Sequence, residues 1–280
     1  MRRITQQERA AQFRRLHGGE RALVLVNAWD AGSARLLEEA GQSAIATTSA
    51  GMAWSLGYAD GERMEAHELV AGCRRICRVV AAPVSVDIER GFGRTAGEVC
   101  AVVRALLDIG VVGINIEDGV MPGTGQLAAP GILAERIAAV RKLARELDVA
   151  LFINARTDSY LVPAIDMATR YAETVRRSRI YVEAGADGLF VPGLTSIDEI
   201  SSLARTVDRP LNAYAGYDGA PSVDALRRAG VRRISLGCGP LQAALALTRR
   251  IGVEALEQGT YAAMTADMLS VGEVNDLFAA

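Results

Sequence analysis

Histidine and lysine are nearly absent from this 280-residue chain, and their scarcity limits the chemistry that it can perform. The two histidines, His17 and His67, fall in segments with a helical pattern, and the single lysine, Lys142, lies in the Arg-rich stretch RKLAREL. A Schiff-base mechanism needs a lysine at a strand end, and histidine triads or HExxH zinc sites need histidines at set positions. The remaining groups for catalysis are carboxylates, arginines, hydroxyls, backbone amides and a metal ion.

Paired cysteines, long apolar runs and a strong net charge are also missing. The four cysteines form no CxxC pair and no zinc spacing, which predicts a reduced, cytoplasmic protein: Cys73, Cys77, Cys100 and Cys238. No apolar run approaches the roughly 18 residues of a membrane helix, and the polar N-terminus MRRITQQERAAQFRRL lacks the apolar core of a secretory signal. The formal net charge of −2 argues against nucleic acid or an anionic membrane as a partner.

Short β-rich runs alternate with longer amphipathic segments along the whole chain. Strands are predicted at 23–28, 44–48, 84–87, 112–117, 150–155, 188–191, 211–214 and 233–237, with helices near 31–41, 64–80, 95–109, 131–147, 165–184, 196–206 and 222–230. Eight strands with following helices predict one (β/α)8 barrel domain over 1–280, and an open doubly wound sheet is the alternative. Within it, 1–20 is an additional N-terminal helix, 21–240 the barrel, and 241–280 the C-terminal helices.

Polar side chains follow many of the apolar strands, at the end where barrel enzymes hold their active sites. Asp87 and Glu89 lie two apart in VSVDIERGFG and share one face of a strand, and Glu117 closes the next strand. Three carboxylates repel one another unless a cation joins them, and oxygen ligands favour a hard ion, Mg²⁺ or Mn²⁺. The alternative is a salt bridge to a nearby arginine: Arg90, Arg94 or Arg156.

Three Gly-containing turns are weaker signals. TTSAGMAWSLGYADG (47–61) follows a strand with small residues whose amides can hold a carboxylate or phosphate, or it is an ordinary turn. GFGRTAG departs from GxGxxG in its last spacing, which argues against a dinucleotide site. LGCGP (236–240) is a phosphate cup or, more simply, a strand-to-helix turn.

An ordered set of motifs resembles the isocitrate lyase/phosphoenolpyruvate mutase superfamily. The set comprises NAWDAGSARLLEEAG, TTSAGMAWSLGYADG, VSVDIERGFG, INIEDG, INARTDSY, EAGADGLFVPG and LNAYAG, and it covers most of the chain. The resemblance implies a (β/α)8 barrel whose eighth helix is exchanged with a neighbouring subunit. It also implies a homotetramer built as a dimer of dimers, and Mg²⁺ bound by carboxylates.

The resemblance also implies roles for individual residues. Asp87 matches the principal metal-site aspartate, with Glu89 and Glu117 ligating directly or through water. Arg156 matches the arginine that contacts the substrate, and Asp60 matches an acidic residue of the loop over the site. The predicted substrate contacts are the amides of Ser49, Ala50 and Gly51, with Thr47 where an aromatic residue often stands and Asn212 on the far wall.

The loop after the fourth strand departs from the known activities of the superfamily. EDGVMPGTGQLAAP (117–130) has neither the Lys-Lys/Arg-Cys-Gly-His pattern of the isocitrate and methylisocitrate lyases nor the Lys and Asn-Ser pair of the mutases. The proton donor is therefore sought among Tyr58, Thr124, Tyr160, Tyr214 and bound water, and the side chains that can shape the pocket are Thr47, Trp54, Tyr58, Tyr160, Pro192 and Tyr214.

What the resemblance implies overall is a Mg²⁺-dependent carbon–carbon lyase or decarboxylase. Its substrate would be a small 2-oxo or 2-hydroxy (di)carboxylic acid, cleaved through an enolate. Two alternatives stay open: carbon–phosphorus chemistry on phosphoenolpyruvate or phosphonopyruvate, and a barrel that binds a 2-oxo acid without turnover.

Overall fold

The computed structural model describes residues 4–19, 21–120 and 124–279. Eight parallel strands form one sheet: β1 Leu23–Leu25, β2 Ile45–Ala46, β3 Val84–Asp87, β4 Gly113–Glu117, β5 Phe152–Arg156, β6 Gly188–Phe190, β7 Leu211–Tyr214 and β8 Arg233–Ser235. The strands pair in the order β1-β8-β7-β6-β5-β4-β3-β2, so consecutive strands are neighbours and β1 returns to β8. The predicted (β/α)8 barrel is confirmed, and the open doubly wound sheet is excluded.

Helices alternate with the strands, as a parallel sheet requires. They are α1 Gln6–His17, α2 Ala31–Glu39, α3 Ser49–Ser55, α4 Ala66–Val79, α5 Ala96–Asp108, α6 Pro130–Glu146, α7 Met167–Ala184, α8 Ile197–Thr206, α9 Val223–Arg228, α10 Gly239–Glu257, α11 Ala262–Thr265 and α12 Val271–Asp276. Local sequence sets several ends: Thr95 and Glu98 form a capping box at the start of α5, and Gly185 ends α7 with a left-handed φ of 114°.

The seam between β1 and β2 closes the barrel through few contacts. Ala28 and Thr47 form a single parallel bridge, in which the Ala28 amide donates to Ala46 O at 2.8 Å. The buried side chain of Asn27 adds to it: Nδ2 donates to Thr47 O at 2.9 Å, and Oδ1 accepts the amide of Gly237 at 2.8 Å. One asparagine thus ties the end of β1 to both of its neighbours.

Helix α1 covers the N-terminal end of the barrel. Phe13 is fully buried, and its ring meets those of His17 and Phe152 edge to face, with centroids 4.7 and 5.6 Å apart. His17 stacks on Phe152 at 4.0 Å, and its Nδ1 lies 2.8 Å from Phe13 O. This aromatic cluster leaves the C-terminal end as the open end of the barrel.

The C-terminal helices pack little against the barrel. In the 19-residue helix α10, Leu241 is the buried residue, while large apolar side chains of α10 to α12 stay exposed: Leu245, Leu247, Val253, Leu256, Met264, Val271 and Val274. In the described part of the chain, none of the helices combines the length and the apolar character that crossing a membrane requires.

Candidate active site

A cavity of about 180 Å³ opens at the C-terminal end of the strands. Its wall holds six of the predicted site residues, Thr47, Ser49, Ala50, Asp60, Asp87 and Arg156, and two further residues predicted to shape the pocket, Pro192 and Tyr214. The rest of the wall is formed by Asn27, Thr48, Asn115, Leu161, Phe190, Ser235, Gly237 and Cys238. The strand ends therefore meet around one small cavity, as the sequence pattern predicts for a barrel.

Asp87 ends β3 and is fixed from several sides. Its amide donates to Thr47 Oγ1 at 3.0 Å, while its carboxylate accepts the Glu89 amide at 3.0 Å and Asn115 Nδ2 at 3.4 Å. Burial raises the pKa of Asp87 above its usual value, and the positive charge of Arg156 opposes the shift. The carboxylate is thus held in one orientation on the cavity wall.

Glu89 follows Asp87 in a left-handed conformation, with φ at 49°. Its Oε2 accepts the amide of Glu62 at 2.7 Å, whereas its Oε1 is buried and has no hydrogen-bond partner among the described residues. Burial, followed by the charges of Asp87 and Asp60, raises the pKa of Glu89 to about 8. Buried polar atoms nearly always have a partner, so this oxygen is a place where a hydrogen-bond donor or a cation would bind favourably.

Glu117 and Arg156 form an ion pair at the ends of β4 and β5. Arg156 Nη1 lies 3.1 Å from Glu117 Oε2, and Arg156 Nε donates to Asp158 Oδ1 at 2.6 Å. Burial raises the pKa of Glu117 well above its usual value, against the influence of Arg156. Burial alone would lower the pKa of Arg156, but Glu117 and Asp158 raise it overall. Arg156 therefore stays charged on the cavity wall, and Glu117 lies behind it.

A second acid beside Glu117 supports this arrangement from outside the barrel. Asp118 is buried and accepts hydrogen bonds from Thr157 Oγ1 at 2.7 Å and from the Asp158 amide at 3.0 Å. Arg177 and Tyr181 of α7 also donate to it, at 3.0 and 2.8 Å. This network fixes the turn that carries Asp158, the carboxylate that orients Arg156.

The three carboxylates predicted to bind a metal ion, Asp87, Glu89 and Glu117, fit such a site only in part. No group of three His, Cys, Asp or Glu side chains within 4–19, 21–120 and 124–279 has the arrangement of a ready metal site. Glu117 is engaged by Arg156, and Glu89 by the Glu62 amide. The donor set still fits a hard cation, because all of its ligands are oxygens and Glu89 Oε1 is buried without a partner. Asp87 is the member of the three that lines the cavity.

The substrate-loop residues form a helix, where the sequence interpretation treated 47–61 as a loop. Thr48 caps α3 without a side-chain hydrogen bond, and Ser49 and Ala50 lie in its first turn. The first amides of a helix have no partner within it, so these two residues, which line the cavity, offer potential donors. Gly51 is outside the wall, and it serves packing because a Cβ there would lie 2.5 Å from Thr48 Cγ2.

Two further predicted residues lie away from the cavity wall. Tyr58 hydrogen-bonds with Glu68 of α4, an interaction that raises the pKa of its phenol. Asn212 lies beneath the wall, where its Oδ1 accepts from Ser235 Oγ at 3.2 Å. Of the residues predicted to shape the pocket, Thr47, Pro192 and Tyr214 line it, whereas Trp54 and Tyr160 do not.

Several wall residues were not selected from the sequence. Asn27 and Asn115 were detectable, because both are amides at the ends of apolar strands. Leu161, Phe190 and Cys238 carry no such signal, since apolar residues near strand ends usually pack in the core. The loop after β4 is described only in part: residues 121–123 lie outside the described residues, and Val120 pairs with Leu127 across the loop.

Comparison with known proteins adds independent information. The family model of phosphoenolpyruvate phosphomutase matches residues 13–256. A 2-methylisocitrate lyase of Aeropyrum pernix is 32% identical over 81% of this chain and 73% of its own length. An oxaloacetate decarboxylase of Bradyrhizobium is 30% identical over 86% of this chain and 83% of its own length.

A solved structure from Burkholderia cenocepacia, of a lyase/mutase whose activity is unproven, has a TM-score of 0.89 and 37% identity. The match covers 98% of this chain and 97% of that one. Sequence family, relatives and fold agree with the motifs around the cavity. The chain therefore belongs to the phosphoenolpyruvate phosphomutase family, within the isocitrate lyase/phosphoenolpyruvate mutase superfamily.

Proposed function

We propose that this protein is a Mg²⁺-dependent lyase or decarboxylase that cleaves a carbon–carbon bond in a small 2-oxo or 2-hydroxy (di)carboxylic acid. The observation that carries the proposal is one cavity wall that combines an oriented carboxylate, Asp87, with a charged arginine, Arg156, and the first turn of α3. Relatives named 2-methylisocitrate lyase and oxaloacetate decarboxylase support this class of reaction.

Asp87 would hold the Mg²⁺ ion, or Mn²⁺ in its place, with Glu89 and Glu117 acting through water. The bound ion would polarise the substrate carbonyl and offset negative charge. The Glu89 amide and Asn115 keep the Asp87 carboxylate in its orientation, and Thr47 fixes the Asp87 backbone amide. Such outer contacts set the position of a ligating group and affect metal affinity.

Arg156 would stabilise the enolate oxygen that forms when the carbon–carbon bond breaks. The electron pair of that bond would stay with the fragment that becomes the enolate, and the other fragment would leave as carbon dioxide from a 2-oxo acid or as a carbonyl compound from a 2-hydroxy acid. The guanidinium is held in place by Glu117 and Asp158, so little reorganisation is needed when charge develops. The amides of Ser49 and Ala50 would bind the substrate carboxylate. Asp60, also on the wall, is the group that would exchange a proton with the carbanion carbon, directly or through water. Tyr58, which lies away from the wall, has no part in this scheme.

Oxalate binding measured by calorimetry, with and without Mg²⁺, tests the proposal because oxalate resembles the planar enolate of a 2-oxo acid. We expect tight binding that requires Mg²⁺, and at least about a 100-fold weaker affinity in Asp87→Ala. Asp198→Ala, on the exposed start of α8, is the matched control and should bind like the wild type.

Binding without any need for Mg²⁺ or Asp87 would disprove the metal-dependent site. If binding meets the expectation, a turnover screen of 2-oxo and 2-hydroxy acids follows. Phosphonopyruvate belongs in that screen, because turnover of it rather than of the carbon acids would support carbon–phosphorus chemistry. Binding of 2-oxo acids with no turnover at all would support the non-catalytic alternative.

We also propose that the protein forms the homotetramer that the family resemblance implies, and that it is cytoplasmic, as its cysteine pattern predicts. The assembly is supported by the exposed apolar surface of α10, where Leu245 and Leu256 are 50% and 90% exposed. Helix α10 follows β8 and is therefore the eighth helix of the barrel, and its exchange with a neighbouring subunit would bury this surface. Light scattering during gel filtration measures the mass, and a monomer at micromolar concentration would contradict the proposal.

A further inference from the structure

Arg233 is a buried arginine inside the barrel, and no acid of the described residues forms an ion pair with it. It begins β8, its side chain is 1% exposed, and it is the largest fully buried side chain of the described residues. Its Nε donates to Ser235 Oγ at 3.3 Å. Neither Nη1 nor Nη2 has a hydrogen-bond partner within the described part of the chain.

Two other arginines with little exposure are paired with an acid. Arg177 binds Asp118 at 3.0 Å, and Arg141 binds Asp187. A buried guanidinium without such a partner is costly, because its desolvation is not offset by a nearby negative charge. Arg233 thus differs from Arg141 and Arg177, because no acid of the described residues forms an ion pair with it.

The position of Arg233 relates its charge to the cavity. Ser235, the next inward-facing residue of β8, lines the cavity wall and links Arg233 to Asn212, whose Nδ2 also lacks a partner in the described structure. The charge of Asp87, on the cavity wall, acts on Arg233, and the charge of Arg233 acts in turn on His17 at the N-terminal end. Arg233 therefore lies on the inside of the barrel, beneath the cavity.

Arg233 stays protonated near neutral pH. Burial lowers its pKa to about 10, and the negative charge of Asp87 opposes that shift. A full positive charge in a low-dielectric interior acts over several ångströms with little screening by salt. Its attraction therefore reaches an anion in the cavity without a direct contact.

We propose that Arg233 is a specificity-determining residue that makes this site prefer doubly charged ligands over singly charged ones of the same shape. The inference rests on the proposed function and narrows its substrate class to acids that carry two negative charges in the bound state. The physical reason is that the attraction from a fixed charge scales with the charge of the ligand. Packing contacts, by contrast, depend on shape.

Oxalate and oxamate provide the test, because they share a planar shape and differ by one negative charge. Their dissociation constants are measured by calorimetry at saturating Mg²⁺ for the wild type, Arg233→Met, Arg233→Gln and Arg233→Lys. In both neutral variants, we expect oxalate binding to weaken about tenfold more than oxamate binding. Arg233→Lys should keep the wild-type ratio. Arg141→Met, which removes a buried but paired arginine at the other end of the barrel, should leave the ratio unchanged.

The outcomes separate this inference from the proposed function. If the neutral variants weaken both ligands by the same factor, or neither, Arg233 has only a structural role and the inference is wrong. Because Met and Gln differ in shape and polarity, one neutral variant that folds, as checked by circular dichroism, is sufficient for this decision. If the wild type shows no Mg²⁺-dependent oxalate binding, the proposed function itself fails.

Discussion

At the N-terminal end of the barrel, Asp187 accepts hydrogen bonds from Arg14, Arg141 and the amide of Ile153. At the C-terminal end, Glu89 has one backbone donor and a buried oxygen with no partner in the described structure. Both acids are largely removed from water, but only the first has enough donors. Asp187 has its donors within the fold, whereas Glu89 leaves a buried oxygen that a cation or a donor from a ligand could satisfy.

This difference separates residues that hold the fold from residues that hold a ligand. A buried acid with its donors in place stabilises the structure around it, while a buried acid without them costs stability until something binds. Substitutions at the N-terminal end should therefore change unfolding and leave binding alone. Substitutions at the C-terminal end should change binding more than they change unfolding.

The largest effect on stability should come from Phe13→Ala at the N-terminal end. Removing this fully buried ring leaves a cavity against His17 and Phe152, which should lower the free energy of unfolding by about 3–5 kcal/mol. Urea unfolding measures the loss, and oxalate affinity should not change. Phe278→Ala, at a side chain that is 46% exposed, is the matched control. A loss of oxalate affinity in folded Phe13→Ala would show that the two ends are coupled.

Low pH should lower the free energy of unfolding through His17, which lies at the same end of the barrel. Burial, and then the charge of Arg233, lowers the pKa of His17 from 6.5 to about 3. Between these values, the unfolded chain binds a proton that the native chain does not, so stability falls as the pH drops. The slope should approach about 1.4 kcal/mol per pH unit inside that window. His17→Phe, which preserves a ring on Phe152, should remove this part of the pH dependence in urea unfolding. An unchanged slope would mean that His17 is not the group responsible.

The smallest effect on stability should come from Glu89→Gln at the C-terminal end. Because the pKa of Glu89 is raised from 4.5 to about 8, the metal-free protein should lose stability as the pH rises across that window. Glu89→Gln lacks this loss and should be about 1 kcal/mol more stable than the wild type above pH 8 without metal. Its Mg²⁺-dependent oxalate binding should nevertheless be weaker. If the variant is less stable than the wild type and binds oxalate equally well, Glu89 stabilises the fold and does not serve ligand binding.

The alternating pattern was sufficient to predict the barrel, and in β3 and β7 it predicted the strand bounds as observed. It also predicted that Asp87 and Arg156 lie at the same end of the barrel, because all strands of a parallel barrel have their carboxyl ends on one side. The helix at Ser49–Ser55 was missed, since a short helix with Gly51 in its first turn has the composition of a loop.

Depth within the barrel could not be predicted from the sequence. Alternation assigns Asn212 and Arg233 to the inside, but the stagger between strands decides which side chain reaches the cavity. The adjacent acids of INIEDG show the same limit: Glu117 meets Arg156, while Asp118 faces Thr157 and α7. Composition alone does not show which of two neighbouring carboxylates will find its donors within the fold.

The seam at Asn27 has a consequence for how the barrel opens. Strands β1 and β2 share a single bridge, so the sheet can part there at a smaller cost than between strands with a full ladder of hydrogen bonds. Thr47 and Gly237, which Asn27 joins, also line the cavity from opposite sides of that seam. A ligand that contacts both residues would hold β1 and β2 together where they share the fewest hydrogen bonds. Amide hydrogen exchange at this seam should therefore slow when a ligand fills the cavity.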